Sequence, residues 1–185
     1  GLGLPGLAEL VDRSLLHRQP DGRYALPVVL RQYGVEKLSA APEERAAVEL
    51  RFAAHYLSLL ARSAAQMQQG PQSGEAGTGL GGLAAEMDAI RQACSWAATH
   101  GEVTGLRQAA LPLYLAHELP ARHREGAETF HRLGIALSSS AAPADPQREA
   151  LAGLLEVMEG ALLRAAGPRL GGYEAIERGL ARLES

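Results

Sequence analysis

The chain has 185 residues, of which 46% are hydrophobic, 4% aromatic and 21% charged, and its formal net charge at pH 7 is −3. This slightly acidic charge gives no general electrostatic reason to bind nucleic acid or an anionic membrane. No apolar run approaches the roughly 18–20 residues that span a bilayer. The single cysteine, Cys94, excludes an internal disulfide, and we expect a buried thiol in a cytoplasmic protein of one or two domains.

The first 40 residues predict a helix, a short hairpin and a second helix. Pro5 suits the first turn of the opening helix, because the N–H that it lacks has no helical partner there in any case. Ser14–Arg18 and Arg23–Pro27 are expected to pair across residues 19–22, whose Asp-Gly sequence favours a tight reversal. The second helix is expected to end near Leu38. This order is that of the back half of a winged helix, so we expect the chain to be a piece of a larger protein.

Residues 41–69 predict a long connector helix. Pro42 fits its first turn, and the acidic residues that follow favour the positive end of the helix dipole. Its apolar residues recur at helical spacing: Val48, Phe52, Tyr56, Leu59 and Leu60. Residues 68–82 are rich in Gln, Gly, Ser and Pro and predict a flexible loop at 70–82.

Residues 83–185 predict five helices, at about 83–100, 103–118, 122–138, 147–166 and 173–184. Gly101 suits the left-handed cap that ends the first of them. Pro112 falls inside the second and is expected to kink it. A loose loop is expected at 138–146. Consecutive antiparallel helices that each carry one apolar stripe are typical of hairpins stacked into a solenoid, and a helical bundle is the alternative.

Several segments resemble one family. LAELVDRSLLHRQPDGRYALPVVLRQYGVEKL, at residues 7–38, resembles the winged-helix region that follows the nucleotide-binding module in bacterial regulators of the STAND class, the signal-transduction NTPases with many domains. Residues 84–137 are similar to the start of their tetratricopeptide-like sensor region, and residues 161–183 resemble a tetratricopeptide hairpin. The shared features of residues 84–137 are Glu86, Trp96-Ala97, Gly101-Glu102 and Arg124-Glu125-Gly126.

The resemblance implies an all-α fold, a tetratricopeptide-like helical repeat preceded by a partial winged helix with a short β-hairpin. It divides the chain into 1–40 (partial winged helix), 41–69 (connector helix), 70–82 (flexible loop) and 83–185 (helical hairpins). It also implies that ATP or ADP binds in an upstream module of the parent protein. This chain carries no phosphate-binding loop, since its single lysine is Lys37, and Pro27 stands where many relatives place a nucleotide-sensing histidine.

Four residues are candidates for a partner or ligand surface: Tyr114, His117, Glu118 and Tyr173. Tyr114 follows Pro112, and a kink in a repeat array can open a groove. The spacing of His117, Glu118, His123 and His131 matches no known metal-ligand pattern, which favours surface or capping histidines. Trp96 is a further stacking aromatic, for which interior packing is favoured. The sequence predicts no catalytic, cofactor-binding or metal-binding residues.

The expected function is therefore that of a non-catalytic sensor and interaction segment of a larger ATP-dependent STAND-type transcriptional regulator. It would bind a protein or small-molecule effector and the other domains of the parent protein, with no direct contact to nucleic acid or membrane. The alternative is a free-standing helical scaffold that homodimerises through an apolar seam at Tyr173, Ile176, Leu180 and Leu183. An enzyme with an unrecognised site in a helical bundle is disfavoured, because no convergent acid, base or metal set is evident.

Overall fold

The computed structural model describes residues 3–20, 22–68, 83–140, 145–167 and 171–184. Contacts within the chain define two compact units, Gly1–Val48 and Glu49–Ser185. The division falls inside the long third helix, so most of the predicted connector is grouped with the helices that follow it. The predicted loop at 70–82 lies outside the described residues, as do residues 141–144 of the second predicted loop.

The first unit contains a helix, a hairpin and a second helix, in the predicted order: α1 (Leu4–Asp12), β1 (His17–Arg18), β2 (Tyr24–Ala25) and α2 (Val28–Ser39). The strands are antiparallel, with His17 opposite Ala25. Each is two residues long, whereas the sequence predicts five. The reason lies in the residues before β1, because the amides of Leu15 and Leu16 donate to the carbonyl of Leu10 and complete the end of α1.

The remaining helices are α3 (Pro42–Gln68), α4 (Met87–His100), α5 (Val103–Glu118), α6 (His123–Ser139), α7 (Pro146–Ala166) and α8 (Gly172–Leu183), with a 3₁₀ turn at Ala84–Glu86. These bounds agree with the predicted ones within a few residues. The structure is thus mostly helical with one short two-stranded hairpin in its described parts. None of the described helices combines the length and the apolar character needed to cross a membrane.

Two local predictions about these helices concern the cap at Gly101 and the proline at position 112. Gly101 has a φ of 72°, and the Glu102 amide donates to the Ala97 carbonyl at 2.9 Å, so the left-handed cap of α4 is confirmed. Pro112 lies inside α5 and is buried, and the helix continues past it to Glu118. Pro112 therefore does not end the helix, and the kink expected there stays a prediction.

The core of the second unit is formed by α4 to α7 together with Leu60 of α3. Phe130 is its largest fully buried side chain, and Cys94 is a buried free thiol, as predicted. Each of α4 to α7 packs against the next, and contacts also join α4 with α6 and α5 with α7. Alanine supplies many of the buried positions, so these interfaces are thin.

Helices α7 and α8 approach one another through glycines. A Cβ atom added to Gly160 would lie 2.5 Å from the Gly172 carbonyl oxygen, and one added to Gly153 would lie 2.7 Å from the Gly179 carbonyl oxygen. Real Cβ atoms do not come this close to backbone atoms. The packing face of α8 therefore consists of small residues together with Ile176, while Tyr173, Leu180 and Leu183 of the predicted seam remain exposed.

We predict that Gly160→Ala destabilises the protein, because the backbone of α8 must move to admit the new methyl group. The expected loss in the free energy of unfolding is about 1–3 kcal/mol, the range for overpacked contacts. Chemical denaturation followed by circular dichroism measures it.

Gly134→Ala is the matched control, because Gly134 lies inside α6 and an added Cβ there meets no atom within 4 Å. It should raise stability by about 0.5–1 kcal/mol through helix propensity. Equal effects of the two substitutions would contradict the close approach of α7 and α8.

Candidate functional site

Three of the four predicted surface residues lie where the end of α5 meets the start of α6. We call this group the polar cluster and define it by Arg91, Tyr114, His117, Glu118, Arg122, His123 and Glu125. It includes four groups whose pKa values are shifted, Arg91, Tyr114, His117 and Glu125. Clusters of shifted titratable groups occur often at functional sites, although structural networks produce them as well.

His117 is the buried centre of the polar cluster. Its side chain is 0% exposed, and its Nδ1 lies 2.9 Å from the Leu113 carbonyl oxygen, to which it donates. Its Nε2 is buried and has no hydrogen-bond partner within the described part of the chain. The expectation of a surface histidine is therefore wrong for His117. It fits here because Gly126 of α6 has no side chain: a Cβ there would lie 2.7 Å from the Cβ of His117.

Burial of the imidazole lowers the pKa of His117, because a charge in this position would lose its hydration. The hydrogen bond to the Leu113 carbonyl and the nearby Glu125 carboxylate act in the opposite direction and are weaker. The cations Arg91 and Arg122 lower the pKa further. His117 is thus neutral at physiological pH, with Nε2 left as a buried acceptor.

An ion-paired arginine joins α4 to the start of α6. Arg91 donates to the carboxylates of Glu125 and of Asp88, the latter at 2.5 Å. The hydrogen bond from Arg91 lowers the pKa of Glu125 against the opposing effect of burial. Asp88 is almost fully exposed and contributes little, so the Arg91–Glu125 pair is the contact that ties the two helices together.

Tyr114, Glu118 and His123 form the partly exposed side of the polar cluster. Burial and the neighbouring Glu118 carboxylate raise the pKa of Tyr114. His123 Nε2 lies 3.4 Å from Glu118 Oε2. The side chains of Leu119 and Arg122, in the turn beside them, are exposed. On this side a partner would meet the Tyr114 phenol, the Glu118 carboxylate and the exposed Arg122 guanidinium.

Tyr173 stands apart from the other three predicted residues. It is 61% exposed on α8, and the Arg164 guanidinium lies over its ring, 4.8 Å from the centroid. No contact that the structure describes joins it to the polar cluster. His131 is also separate, since its Nδ1 lies 3.2 Å from Glu159 Oε1 of α7. Among the described residues, no three side chains of His, Cys, Asp or Glu are grouped so as to hold a metal ion.

A groove that the sequence analysis missed runs along α3 and contains Trp96. We call it the Trp96 groove. One wall is an α3 stripe at helical spacing: Leu50, Ala53, Ala54, Leu57, Ser58 and Ala61. The other wall is lined by Trp96, Glu102, Gly105 and Gln108, and Arg62 lies beside Ser58. The volume of the groove is about 410 Å³. The small residues at helical spacing along α3 are visible in the sequence. They indicate a groove only when the residues of the facing wall are also known.

The position of Trp96 is fixed by polar and stacking contacts. Its Nε1 donates to Glu49 Oε2 at 3.3 Å, and its ring stacks on that of His100 with 4.1 Å between centroids. The side chain is half-buried and also packs against the core. Interior packing, favoured from the sequence, is therefore confirmed in part, because the same ring lines the groove.

A scan against protein-family models, a search of curated proteins and a search of solved structures each found no match to this chain.

We predict that His117 makes the stability of the protein depend on pH near neutrality. Because its pKa is lowered in the folded state from the ordinary 6.5, the unfolded chain binds more protons around that pH. Its contribution is fully present above 6.5 and is lost as the pH falls toward the lower folded value. Denaturation midpoints measured between about pH 7.5 and 5.5 should fall for the wild type and fall less for His117→Asn.

Asn keeps an N–H near the position of Nδ1 and does not titrate. His55→Asn, at an exposed position of α3, is the control and should retain the wild-type slope. A slope that is unchanged in His117→Asn would show that His117 does not carry the effect.

Proposed function

We propose that the chain is a non-catalytic sensor and interaction segment of a larger STAND-type ATP-dependent transcriptional regulator. In this proposal the second unit, Glu49–Ser185, is called the helical unit and binds a protein or small-molecule effector. It couples the presence of the effector to a nucleotide module elsewhere in the parent protein, where ATP or ADP binds. The chain acts in the cytoplasm without touching nucleic acid or membrane. The observation that carries the proposal is the exposed apolar surface of the first unit.

That unit has no fully buried residue among those described. Its exposed large apolar side chains are Leu4, Tyr24, Leu26, Val28, Val29, Tyr33 and Val35. A folded module needs a buried apolar core to offset the entropy of ordering its chain. We therefore expect the first unit to be covered by another folded body, and the proposal assigns this role to other domains of the parent protein.

Helix α2 makes the same point at the level of one element. Leu30 and Leu38 are partly buried, while Val28, Val29 and Tyr33 on other sides of the helix are exposed. Apolar side chains thus lie on several sides of α2 among its charged and polar residues, and one neighbouring element cannot cover all of them. The order of helix, hairpin and helix supports the resemblance to a winged helix, whose missing part would cover α2.

The helical unit supports the sensor half of the proposal. Contacts between successive helices, and between α4 and α6 and α5 and α7, are those expected of stacked helical hairpins. Such arrays present extended surfaces for binding. Burial raises the pKa of Cys94 to about 12, so this thiol is not available as a nucleophile, and the proposal gives it a structural role in the core.

The proposal predicts that the native polypeptide containing this segment is much larger than 19.5 kDa and retains labelled ATP. It also predicts that backbone amides of α1 and α2 exchange rapidly with deuterium in the isolated 185-residue chain and slowly in that native polypeptide. The amides of α4 to α7 serve as an internal control, because their core is complete and should protect them in both samples. A native polypeptide of the same mass without nucleotide would refute the proposal.

A second candidate function is a free-standing scaffold that homodimerises. The observation that favours it is the exposed flank of α8, where Tyr173, Leu180 and Leu183 lie beside the glycine face that packs on α7. Their exposure follows from the packing through Gly172, Ala175 and Gly179.

If this flank forms a dimer, Leu180→Glu should convert the chain to a monomer in light scattering. Ala181→Glu adds the same charge at the adjacent exposed position and should leave the dimer intact. A wild-type chain that is monomeric at all concentrations tested would exclude this function.

A further inference from the structure

We propose that the Trp96 groove binds a small, planar ring compound with a hydrogen-bonding substituent. This inference goes beyond the proposed function and holds whether or not the chain is part of a larger regulator. It rests on the width of the groove, on the chemistry of its walls and on the fixed position of Trp96.

The close approach of the two walls at Gly105 favours a small occupant over a helix. A Cβ added to Gly105 on one wall would lie 3.1 Å from Leu57 Cδ1 on the other, so the two walls nearly touch at this point. An α-helix with its side chains is about 10–12 Å across and cannot enter between them. The volume of about 410 Å³ lies instead within the range of small-molecule sites, about 300–1,000 Å³.

The chemistry of the walls favours an apolar body. Alanine and leucine side chains of α3 form most of one wall, and Leu50, Ala54 and Ser58 are its exposed members. One face of the Trp96 ring is occupied by His100, and Nε1 is held by Glu49. The indole is therefore pre-positioned, and a flat ring can pack against it at little entropic cost.

The polar groups of the groove define the substituent. Glu102 and Gln108 lie on the wall of α5, and Arg62 lies at the end of the α3 stripe, 3.4 Å from Ser58 Oγ. Arg62 supplies a cation, Glu102 an anion and Gln108 an amide. Together they match an uncharged ligand that carries both a hydrogen-bond donor and a hydrogen-bond acceptor. A strongly charged ligand would be attracted at one end and repelled at the other.

The test is a titration of the 185-residue chain with N-phenyl-1-naphthylamine, an uncharged aromatic amine that carries a planar naphthalene ring and one N–H donor. Trp96 is the only tryptophan, so quenching of its emission and energy transfer to the probe report binding beside it. We expect saturable quenching in the wild type. Ala54→Phe fills the groove and should raise the Kd at least about tenfold, the effect of losing about 1.4 kcal/mol.

Ala181→Phe is the matched control, since it is the same substitution at an exposed position of α8 that does not line the groove. Its Kd should stay within about twofold of the wild type, a difference too small to indicate a lost contact. Ser58→Phe, at a second exposed lining position, replaces Ala54→Phe if circular dichroism shows that the latter has lost helix.

No saturable quenching in the wild type, or an equal Kd in the wild type and the filled variants, would overturn the inference. Displacement of the probe from Trp96 by an amphipathic helical peptide, but not by small ring compounds, would also overturn it and indicate a peptide site. Either result leaves the ATP and mass measurements on the parent protein unaffected, so the two proposals fail separately.

Discussion

The helical unit depends on helix contacts from which a Cβ atom is missing. At Gly126 a side chain would collide with both His117 and Leu162, and at Gly160 it would collide with the backbone of α8. The chain has few aromatic residues, so its helices gain contact area by approaching closely rather than by interlocking large side chains. The positions of small residues therefore decide which helices pair and where a larger side chain can be buried.

The polar cluster follows from this constraint and carries a cost. The space above Gly126 accepts an imidazole, but it leaves Nε2 without a partner among the described residues. The turn beside it has a second cost, because Ala121 has a φ of 56°, a conformation that costs a residue other than glycine about 1–2 kcal/mol. The amides of Ala121 and Arg122 cap the last carbonyls of α5, which fixes this conformation. Strain and an unsatisfied polar atom thus coincide at one corner, a combination found often at functional sites.

The elements of the fold could be predicted from the sequence because their signals are local. Gly101 and Gly22 mark turns with positive φ, and apolar spacing marks the faces of α4, α6 and α7. The cap at Ala121 has the same hydrogen bonds as the cap at Gly101 but lacks the glycine, so its sequence gives no warning. The burial of His117 could not be predicted either, because it is decided by Gly126 on another helix.

The packing face of α8 is another feature that could not be predicted from the sequence. Hydrophobicity selects Tyr173, Ile176, Leu180 and Leu183 as its seam, whereas close approach to α7 selects Gly172, Ala175 and Gly179. Close approach prevails because two facing glycines let the backbones touch, which brings many atoms into contact at once. The Trp96 groove was likewise hidden in the sequence, since a gap exists only between two walls that are distant along the chain.

Helix α5 connects the two candidate regions. Its first half supplies Gly105 and Gln108 to the Trp96 groove, and its last turn supplies Tyr114, His117 and Glu118 to the polar cluster. Gly105 and His117 are about 18 Å apart along the helix axis, at 1.5 Å per residue. Pro112 lies between them and cannot donate to the Gln108 carbonyl, so α5 is weakened between its two halves. If a ligand shifts the first half of α5, bending at Pro112 reduces the shift that reaches His117. The buried packing of Pro112 opposes such bending.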